Sequence, residues 1–184
     1  MEQYLTNENI ALLAVIVFVL WLLSGRGSKM DQDGRLSDWA VTKDKILSFI
    51  DEFEIKKDSK LKDGYTEKRV QNQLLGFLRD KIENVSEEYG IEGINATRID
   101  LDIGKGKVGL EIKLAKSVFK TAGQDRMVGQ LDTFIKNKYY DDNLLLMIVC
   151  EPHHLNDRAM QAKIEERLED KLVDIVFFPL EKPA

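Results

Sequence analysis

Residues 98–113 read Arg-Ile-Asp-Leu-Asp-Ile-Gly-Lys-Gly-Lys-Val-Gly-Leu-Glu-Ile-Lys. Apolar residues alternate with polar residues or glycine on both sides of residues 104–107, which is the pattern of two half-buried strands. A glycine-containing break between two such runs is a hairpin signal. The sequence therefore predicts a β-hairpin over residues 98–113.

The register of this hairpin brings two carboxylates together. A two-residue turn and a four-residue loop both place Asp100 opposite Glu111, and directly opposed side chains point to the same face of the sheet. Lys113 follows Glu111 by two residues and shares that face. Opposed like charges are destabilising, so the pair favours a hard divalent cation with oxygen ligands. The alternative is a solvated face, because Glu-x-Lys is common by chance.

Length and charge limit the remaining interpretations. The 184 residues suit one compact domain with an appendage, and the net charge of −5 argues against a general polycation. Residues 104–140 nevertheless carry eight basic residues against three acidic ones, which favours a polyanion partner, although a solvated surface has the same pattern. The single cysteine, Cys150, excludes a disulfide framework within one chain and is expected to be a small buried hydrophobe.

The N-terminus is predicted to be a membrane anchor. Residues 10–23 are fourteen consecutive apolar residues, and residues 5–25 complete a span close to the ~20 residues that a bilayer requires. The acids Glu2 and Glu8 before the run argue against a signal peptide, and a core helix is seldom apolar on every side. Arg26 and Lys29 follow the run, so the positive-inside rule places the rest of the chain in the cytoplasm.

Domain boundaries and elements follow from the same patterns. We expect a transmembrane helix in residues 1–25, a flexible tether in residues 26–38, and a folded domain in residues 39–184. Predicted helices cover residues 41–56, a stretch capped by Thr66 and continuing to Val85, and residues 122–137 and 155–171. Residues 86–93 are predicted to be a turn, residues 144–150 and 173–179 strands, and His153 and His154 loop residues. This order predicts an α/β fold with a mixed sheet flanked by helices.

These features together resemble the PD-(D/E)xK nuclease superfamily, which has the restriction-endonuclease-like fold. The family carries an aspartate on one strand and (Asp/Glu)-x-Lys on the next, which Asp100 and Glu111-Ile112-Lys113 match. Ile99 stands where the family usually has proline, and Asp102 is therefore a rival for the first metal ligand. Glu67 matches a glutamate that many members place on the first core helix.

A further motif of some members, Gln-x-x-x-Tyr, is present in a weakened form as Gln130-Leu-Asp-Thr-Phe134. The resemblance covers residues 65–180 and implies metal-dependent hydrolysis of phosphodiester bonds, with DNA favoured over RNA as the substrate. It implies that Asp100, Glu111 and the Ile112 carbonyl hold Mg²⁺ or Mn²⁺.

The resemblance also assigns the remaining roles. Lys113 would orient the attacking water or offset transition-state charge, Glu67 would support the metal or a second ion, and Gln130 would orient the nucleophile or a phosphate. The candidates for contacts with backbone phosphates are Lys105, Lys116, Lys120 and Arg126.

Two other functions are open at this point. One is a catalytically inactive module of the nuclease fold that binds nucleic acid or a protein partner at the membrane. The other is an unrelated anchored α/β domain whose charged hairpin face is only solvated. The sequence does not decide between a monomer and a homodimer or larger complex.

Overall fold

A computed structural model of the chain describes residues 30–31, 33–56, 65–90, 98–139 and 141–181. The predicted transmembrane helix in residues 1–25, and the tether up to residue 29, lie outside these ranges. Within the described ranges, none of the helices is both long enough and apolar enough to cross a membrane.

The described residues form a mixed sheet flanked by helices, as the sequence predicts, and the sheet has five strands. The strands are β1 (Val85–Gly90), β2 (Arg98–Ile103), β3 (Val108–Leu114), β4 (Leu144–Cys150) and β5 (Val173–Pro179). The helices are α1 (Lys43–Glu52), α2 (Glu67–Arg79), α3 (Ala115–Val118), α4 (Thr121–Asn137), α5 (Pro152–Leu155) and α6 (Arg158–Leu168), and a 3₁₀ turn covers Asp38–Ala40. The spatial order follows the chain: β1, β2 and β3 are antiparallel, whereas β3, β4 and β5 are parallel.

β4 lies between β3 and β5, and all seven of its residues are buried. Its side chains alternate between two apolar layers, as a strand covered on both faces requires. The layer that includes α1 and α2 receives Leu145, Met147 and Val149. The layer that includes α4 and α6 receives Leu144, Leu146, Ile148 and Cys150. The prediction that Cys150 is a buried hydrophobe is confirmed.

The end of α2 differs from the prediction, because its pattern of apolar residues continues beyond the helix into β1. Thr66 caps α2 as predicted, because its Oγ1 accepts the Arg69 N–H at 3.3 Å. The helix ends at Arg79, however, because Ile82 forms a bridge to Leu36 and Val85 begins β1. Both are buried, so the hydrophobic pattern alone does not mark the end of the helix.

Strand β1 corrects the prediction of a turn for residues 86–90, whereas residues 91–93 lie outside the described ranges. β1 is the edge of the sheet and pairs antiparallel with β2, from Val85 opposite Ile103 to Gly90 opposite Arg98. Ser86 and Glu87 are exposed, so this edge strand lacks the alternation by which buried strands are identified in a sequence.

The tether boundary also needs correction, because its last residues are packed onto the domain. Leu36 is 7% exposed, its N–H donates to the Lys81 carbonyl, and its carbonyl accepts the Glu83 N–H. Asp38 accepts a hydrogen bond from the Asn84 side chain at 2.9 Å. His153 and His154, predicted to be loop residues, lie on the short helix α5.

Gly109 of β3 lies where the sheet has no room for a side chain. A Cβ added there would lie 2.6 Å from Ile99 Cδ1 and 2.8 Å from the Tyr139 ring. We predict that Gly109→Ala lowers the free energy of unfolding by about 1–3 kcal/mol, the usual cost of overpacking, as measured by urea unfolding.

The matched control is Gly76→Ala on α2, where an added Cβ meets nothing within 4 Å. Alanine favours a helix over glycine by up to about 1 kcal/mol, so this variant should be more stable than the parent chain. Equal shifts in the two variants would contradict close packing at Gly109.

Candidate functional site

The β2–β3 hairpin has the predicted register. Leu101 pairs with Leu110 and Ile103 with Val108, and a four-residue loop over residues 104–107 joins the strands. Three successive loop residues have positive φ: Gly104 at 62°, Lys105 at 53° and Gly106 at 90°. Glycine adopts this region without strain, which explains the two glycines that flank Lys105.

Asp100 lies just beyond the last recorded β2–β3 pair and uses its side chain to contact β3. Its Oδ2 accepts the Ile112 N–H at 2.7 Å. Its backbone carbonyl accepts a hydrogen bond of 2.8 Å from Gln71 Nε2 on α2. The Asp100 carboxylate is thus fixed to β3, while the backbone behind it is fixed to α2.

Glu67 lies at the first turn of α2 and contacts the end of β3. Its Oε1 accepts the Leu114 N–H at 3.2 Å. Glu67 also interacts electrostatically with Asp100 and Lys113. Since Glu67 and Gln71 are separated by one helical turn, they share a face of α2, and both are directed toward the hairpin.

Glu111 and Lys113 lie on one side of β3 and form a short ion pair. Lys113 Nζ is 2.6 Å from Glu111 Oε1. The Glu111 side chain is 2% exposed and that of Lys113 is 15% exposed. The structure thus brings Glu67, Asp100, Glu111 and Lys113 together, with three carboxylates against one ammonium group.

The excess of carboxylates over ammonium groups affects the pKa values of Glu111, Asp100 and Lys113. Burial, together with the charge of Asp100, raises the pKa of Glu111 to about 7. Burial also raises the pKa of Asp100, although the Ile112 N–H and Lys113 oppose the rise. Burial acts to lower the pKa of Lys113, but the Glu111, Glu67 and Asp100 carboxylates outweigh it and raise that pKa.

The donor set fits a hard divalent cation. Glu111 Oε2 is buried and has no hydrogen-bond partner among the described residues. A buried polar atom without a partner is costly, and a cation would supply that partner. Carboxylate and carbonyl oxygens are the ligands that suit Mg²⁺ and Mn²⁺. Asp100, Glu111 and Glu67 supply such oxygens, while the role of the Ile112 carbonyl stays a prediction.

Asp102 is placed differently, although it lies only two residues from Asp100. It is 4% exposed, and its Oδ1 accepts hydrogen bonds from Tyr139 Oη at 2.5 Å and Lys138 Nζ at 2.9 Å. Its charge is therefore paired within the protein, at the end of the hairpin away from Glu111. This geometry favours Asp100 over Asp102 as a metal ligand.

Gln130 is half-buried on α4, and its Oε1 is buried without a hydrogen-bond partner among the described residues. Within the part of the chain that the structure describes, the Gln130 Oε1 atom has no hydrogen bond to the carboxylate cluster. Its predicted role at the site stays a prediction.

The predicted phosphate-binding residues fall into two places. Lys116 on α3, Lys120 before α4 and Arg126 on α4 are exposed and follow β3 at the end where the carboxylates lie. Lys105 lies in the hairpin loop, and its Nζ is 3.0 Å from Asp38 Oδ2. β3 begins directly after that loop, at Val108, three residues before Glu111. At ~3.3 Å per residue, the loop is about 10 Å from Glu111.

Gln71 is a site residue that the sequence does not reveal as one. It is 3% exposed and positions Asp100 through the backbone carbonyl. The available signal is its spacing of one turn from Glu67. Comparison of the chain with family models, curated proteins and solved structures gives no match.

The raised pKa of Glu111 predicts a distinct dependence of stability on pH. In the folded state the carboxyl group keeps its proton up to about pH 7, against 4.5 for its ordinary value. Between these values the folded state binds more protons than the unfolded state, so the free energy of unfolding falls as pH rises. We expect Glu111→Gln to flatten this fall in metal-free urea unfolding.

The control is Glu165→Gln on the exposed face of α6, which should keep the slope of the parent chain. Saturating Mn²⁺ should stabilise the parent chain more above pH 7 than below it, because the ion binds the ionised carboxylate. An identical slope in the parent chain and Glu111→Gln would show that Glu111 does not titrate in this window.

Proposed function

We propose that the chain is a membrane-anchored, metal-dependent nuclease of the PD-(D/E)xK type, with DNA as its favoured substrate. The observation that carries the proposal is the convergence of Asp100, Glu111 and Lys113 around a buried carboxylate oxygen without a hydrogen-bond partner among the described residues. The resemblance in sequence selects the same three residues and adds Glu67, which lies beside them.

Asp100 and Glu111, with the Ile112 carbonyl, would hold Mg²⁺ or Mn²⁺. When bound, such an ion polarises the scissile phosphate and lowers the pKa of an attacking water. The protein's own contribution is to fix the ligands before substrate arrives. Asp100 is held by Ile112 and Gln71, so little reorganisation is needed at the reacting centre.

Lys113 supplies positive charge rather than acting as a base. The surrounding carboxylates raise its pKa above the ordinary value of 10.5, so the amine is protonated at neutral pH. A protonated amine cannot take a proton from water, but it stabilises negative charge that develops on a phosphate. Its partner Glu111 and its partial burial keep the ammonium group at the site.

The surface beyond β3 suits a nucleic-acid backbone. Lys116, Lys120 and Arg126 are exposed in the segment that directly follows the Glu111-Ile112-Lys113 motif. Contacts of this kind supply affinity without sequence information, because they reach phosphates rather than base edges. Lys105, which is ion-paired with Asp38, would reach only a more distant phosphate.

The burial of the cluster argues against a charged face that is only solvated. Glu111 is 2% exposed, and Asp100 contacts β3 instead of pointing away from Glu111. The inactive nuclease-fold module differs from the enzyme only in activity. Binding of nucleic acid or of a protein partner, with no cleavage of any substrate, would identify that module.

We predict that the full chain in nonionic detergent cleaves plasmid DNA, single-stranded DNA or RNA when Mg²⁺ or Mn²⁺ is present. Asp100→Asn, Glu111→Gln and Lys113→Ala should each lower the cleavage rate by about 10²–10³, as the loss of an electrostatic group at a reacting centre does. The measurement is initial rate at a fixed fraction of folded protein, checked by circular dichroism.

The matched control is Asp102→Asn, which makes the same change on the same strand. It should lower stability by about 1–2 kcal/mol, because Tyr139 and Lys138 lose a charged acceptor, while cleavage per folded molecule stays near that of the parent chain. Cleavage that persists in both Glu111→Gln and Lys113→Ala would overturn this site.

The anchor belongs to the proposal on the strength of the sequence. We predict that the full chain stays in the membrane pellet after carbonate extraction, with its domain on the cytoplasmic side. Replacing Val17 and Phe18 by lysine should release it, since each central lysine costs about 2.5–3.5 kcal/mol of insertion free energy.

The control is replacement of Val17 and Phe18 by leucine, which should remain in the pellet. Release of the parent chain by carbonate, or retention of the lysine variant, would contradict a transmembrane anchor. Neither result bears on the carboxylate site, so anchoring and cleavage are tested separately.

A further inference from the structure

Both histidines of the chain lie beside a glutamate at the carboxyl end of β4. His153 Nδ1 is 3.6 Å from Glu151 Oε2, and the rings of His153 and His154 are 3.8 Å apart between centroids. Each of the three residues offers one ligand atom, and these atoms lie within 4.8 Å of one another. A carboxylate and two imidazoles therefore meet outside the Asp100–Glu111 cluster.

The backbone that carries these side chains is held firmly. Gln161 of α6 is 4% exposed, and its Nε2 donates to the carbonyls of His154 and Leu155 at 3.0 Å. The His154 N–H donates to the Glu151 carbonyl at 2.9 Å, and the Phe119 ring packs edge-on against the His154 ring. The backbone of α5 is thus fixed to α6 and to Glu151.

One of these three candidate ligands also has a buried polar atom without a hydrogen-bond partner among the described residues. His154 Nδ1 is buried and has no hydrogen-bond partner among the described residues. The same holds for the Tyr65 hydroxyl, and both residues line one shallow depression with Glu151 and Lys116. The Glu151 and His153 side chains, by contrast, are 48% and 69% exposed, so the cluster is accessible to an ion from solvent.

We propose that Glu151, His153 and His154 form a second cation site, which takes a borderline transition ion of the Zn²⁺ class. Two imidazoles and one carboxylate are a known ligand set for zinc, with a fourth position left for water. Bonds of about 2.0–2.1 Å place tetrahedral ligand atoms about 3.3–3.4 Å apart. The 3.6 Å between Glu151 Oε2 and His153 Nδ1 is already close to that separation.

The ligand chemistry separates this site from the carboxylate cluster. Imidazole suits Zn²⁺, Cu²⁺ and Ni²⁺, whereas all-oxygen ligands suit Mg²⁺ and Mn²⁺. Cys150 does not join the histidines, because its buried thiol donates to the Ile148 carbonyl. A bound ion would connect Glu151, the N-cap residue of α5, to His153 and His154 on that helix. It would thereby make the connection from β4 to α6 more rigid.

The test uses the full chain in nonionic detergent, with millimolar Mg²⁺ present to occupy the carboxylate cluster. Zn²⁺ is titrated while the ring signals of the two histidines are followed by NMR. Since the chain has no other histidines, each ring is identified by one His→Gln variant. Both signals should shift together and reach their end points at one Zn²⁺ per chain, whereas Mg²⁺ alone should shift neither.

Glu151→Gln is the decisive variant, because the Glu151 side chain is exposed and its loss leaves the fold intact. It should weaken Zn²⁺ binding by about tenfold or more, since even changes outside the ligand shell cost 10–100-fold. Glu165→Gln is the matched control and should leave the affinity unchanged. Independent shifts of the two rings, or equal affinity in Glu151→Gln, would overturn the site.

Glu111→Gln separates this proposal from the nuclease assignment. Zn²⁺ shifts of the histidines that survive this variant support an independent site. Loss of those shifts in Glu111→Gln would mean that the ion binds at the carboxylates, and it would overturn the Glu151–His153–His154 site.

Discussion

The hydrogen bond from the Ile112 N–H to the Asp100 carboxylate determines the geometry of the candidate site. It connects β2 to β3 through a side chain just beyond the last recorded pair, Leu101 with Leu110. Gln71 Nε2 on α2 donates a hydrogen bond to the backbone carbonyl of the same aspartate. Asp100 is therefore tied to β3 through its carboxylate and to α2 through its backbone carbonyl.

This arrangement has an electrostatic cost that a metal ion would offset. Three carboxylates, of Glu67, Asp100 and Glu111, share the ammonium group of Lys113, and Glu111 keeps one oxygen without a hydrogen bond in the described structure. Burial and the neighbouring acid raise the pKa of Glu111 to about 7, which measures how poorly the protein alone stabilises its charge. Natural proteins keep such unfavourable groups mainly where function requires them.

Much of the hairpin and of the core could be predicted from the sequence, because local patterns specify them. The glycines around Lys105 fix the loop, the period of two fixes the faces, and the uninterrupted apolar run of β4 requires cover on both sides. Edge strand β1 could not be predicted in the same way, since exposed edge residues need no alternation. The docking of Leu36 depends on its backbone bonds to Lys81 and Glu83, which no local pattern encodes.

Contacts that no local sequence pattern predicts also decide which polar residues belong to a site. Gln71 joins the carboxylate cluster through a backbone carbonyl 29 residues away, and Glu151 lies near the two histidines at the start of α5. In both cases the residue type is unremarkable in sequence. Its chemistry depends on partners that the fold supplies.

Asp100 and Asp102 illustrate how the fold separates two residues that the sequence leaves equivalent. Asp102 receives a lysine and a tyrosine from the segment after α4, so its charge is already satisfied. Asp100 receives a backbone N–H instead, and it lies near the Glu67 and Glu111 carboxylates, with Lys113 and Lys68 as counter-charges. An added cation would thus gain little at Asp102 and much at Asp100. The same strand thus carries one aspartate paired with Lys138 and Tyr139 and another that contacts a backbone N–H beside further carboxylates.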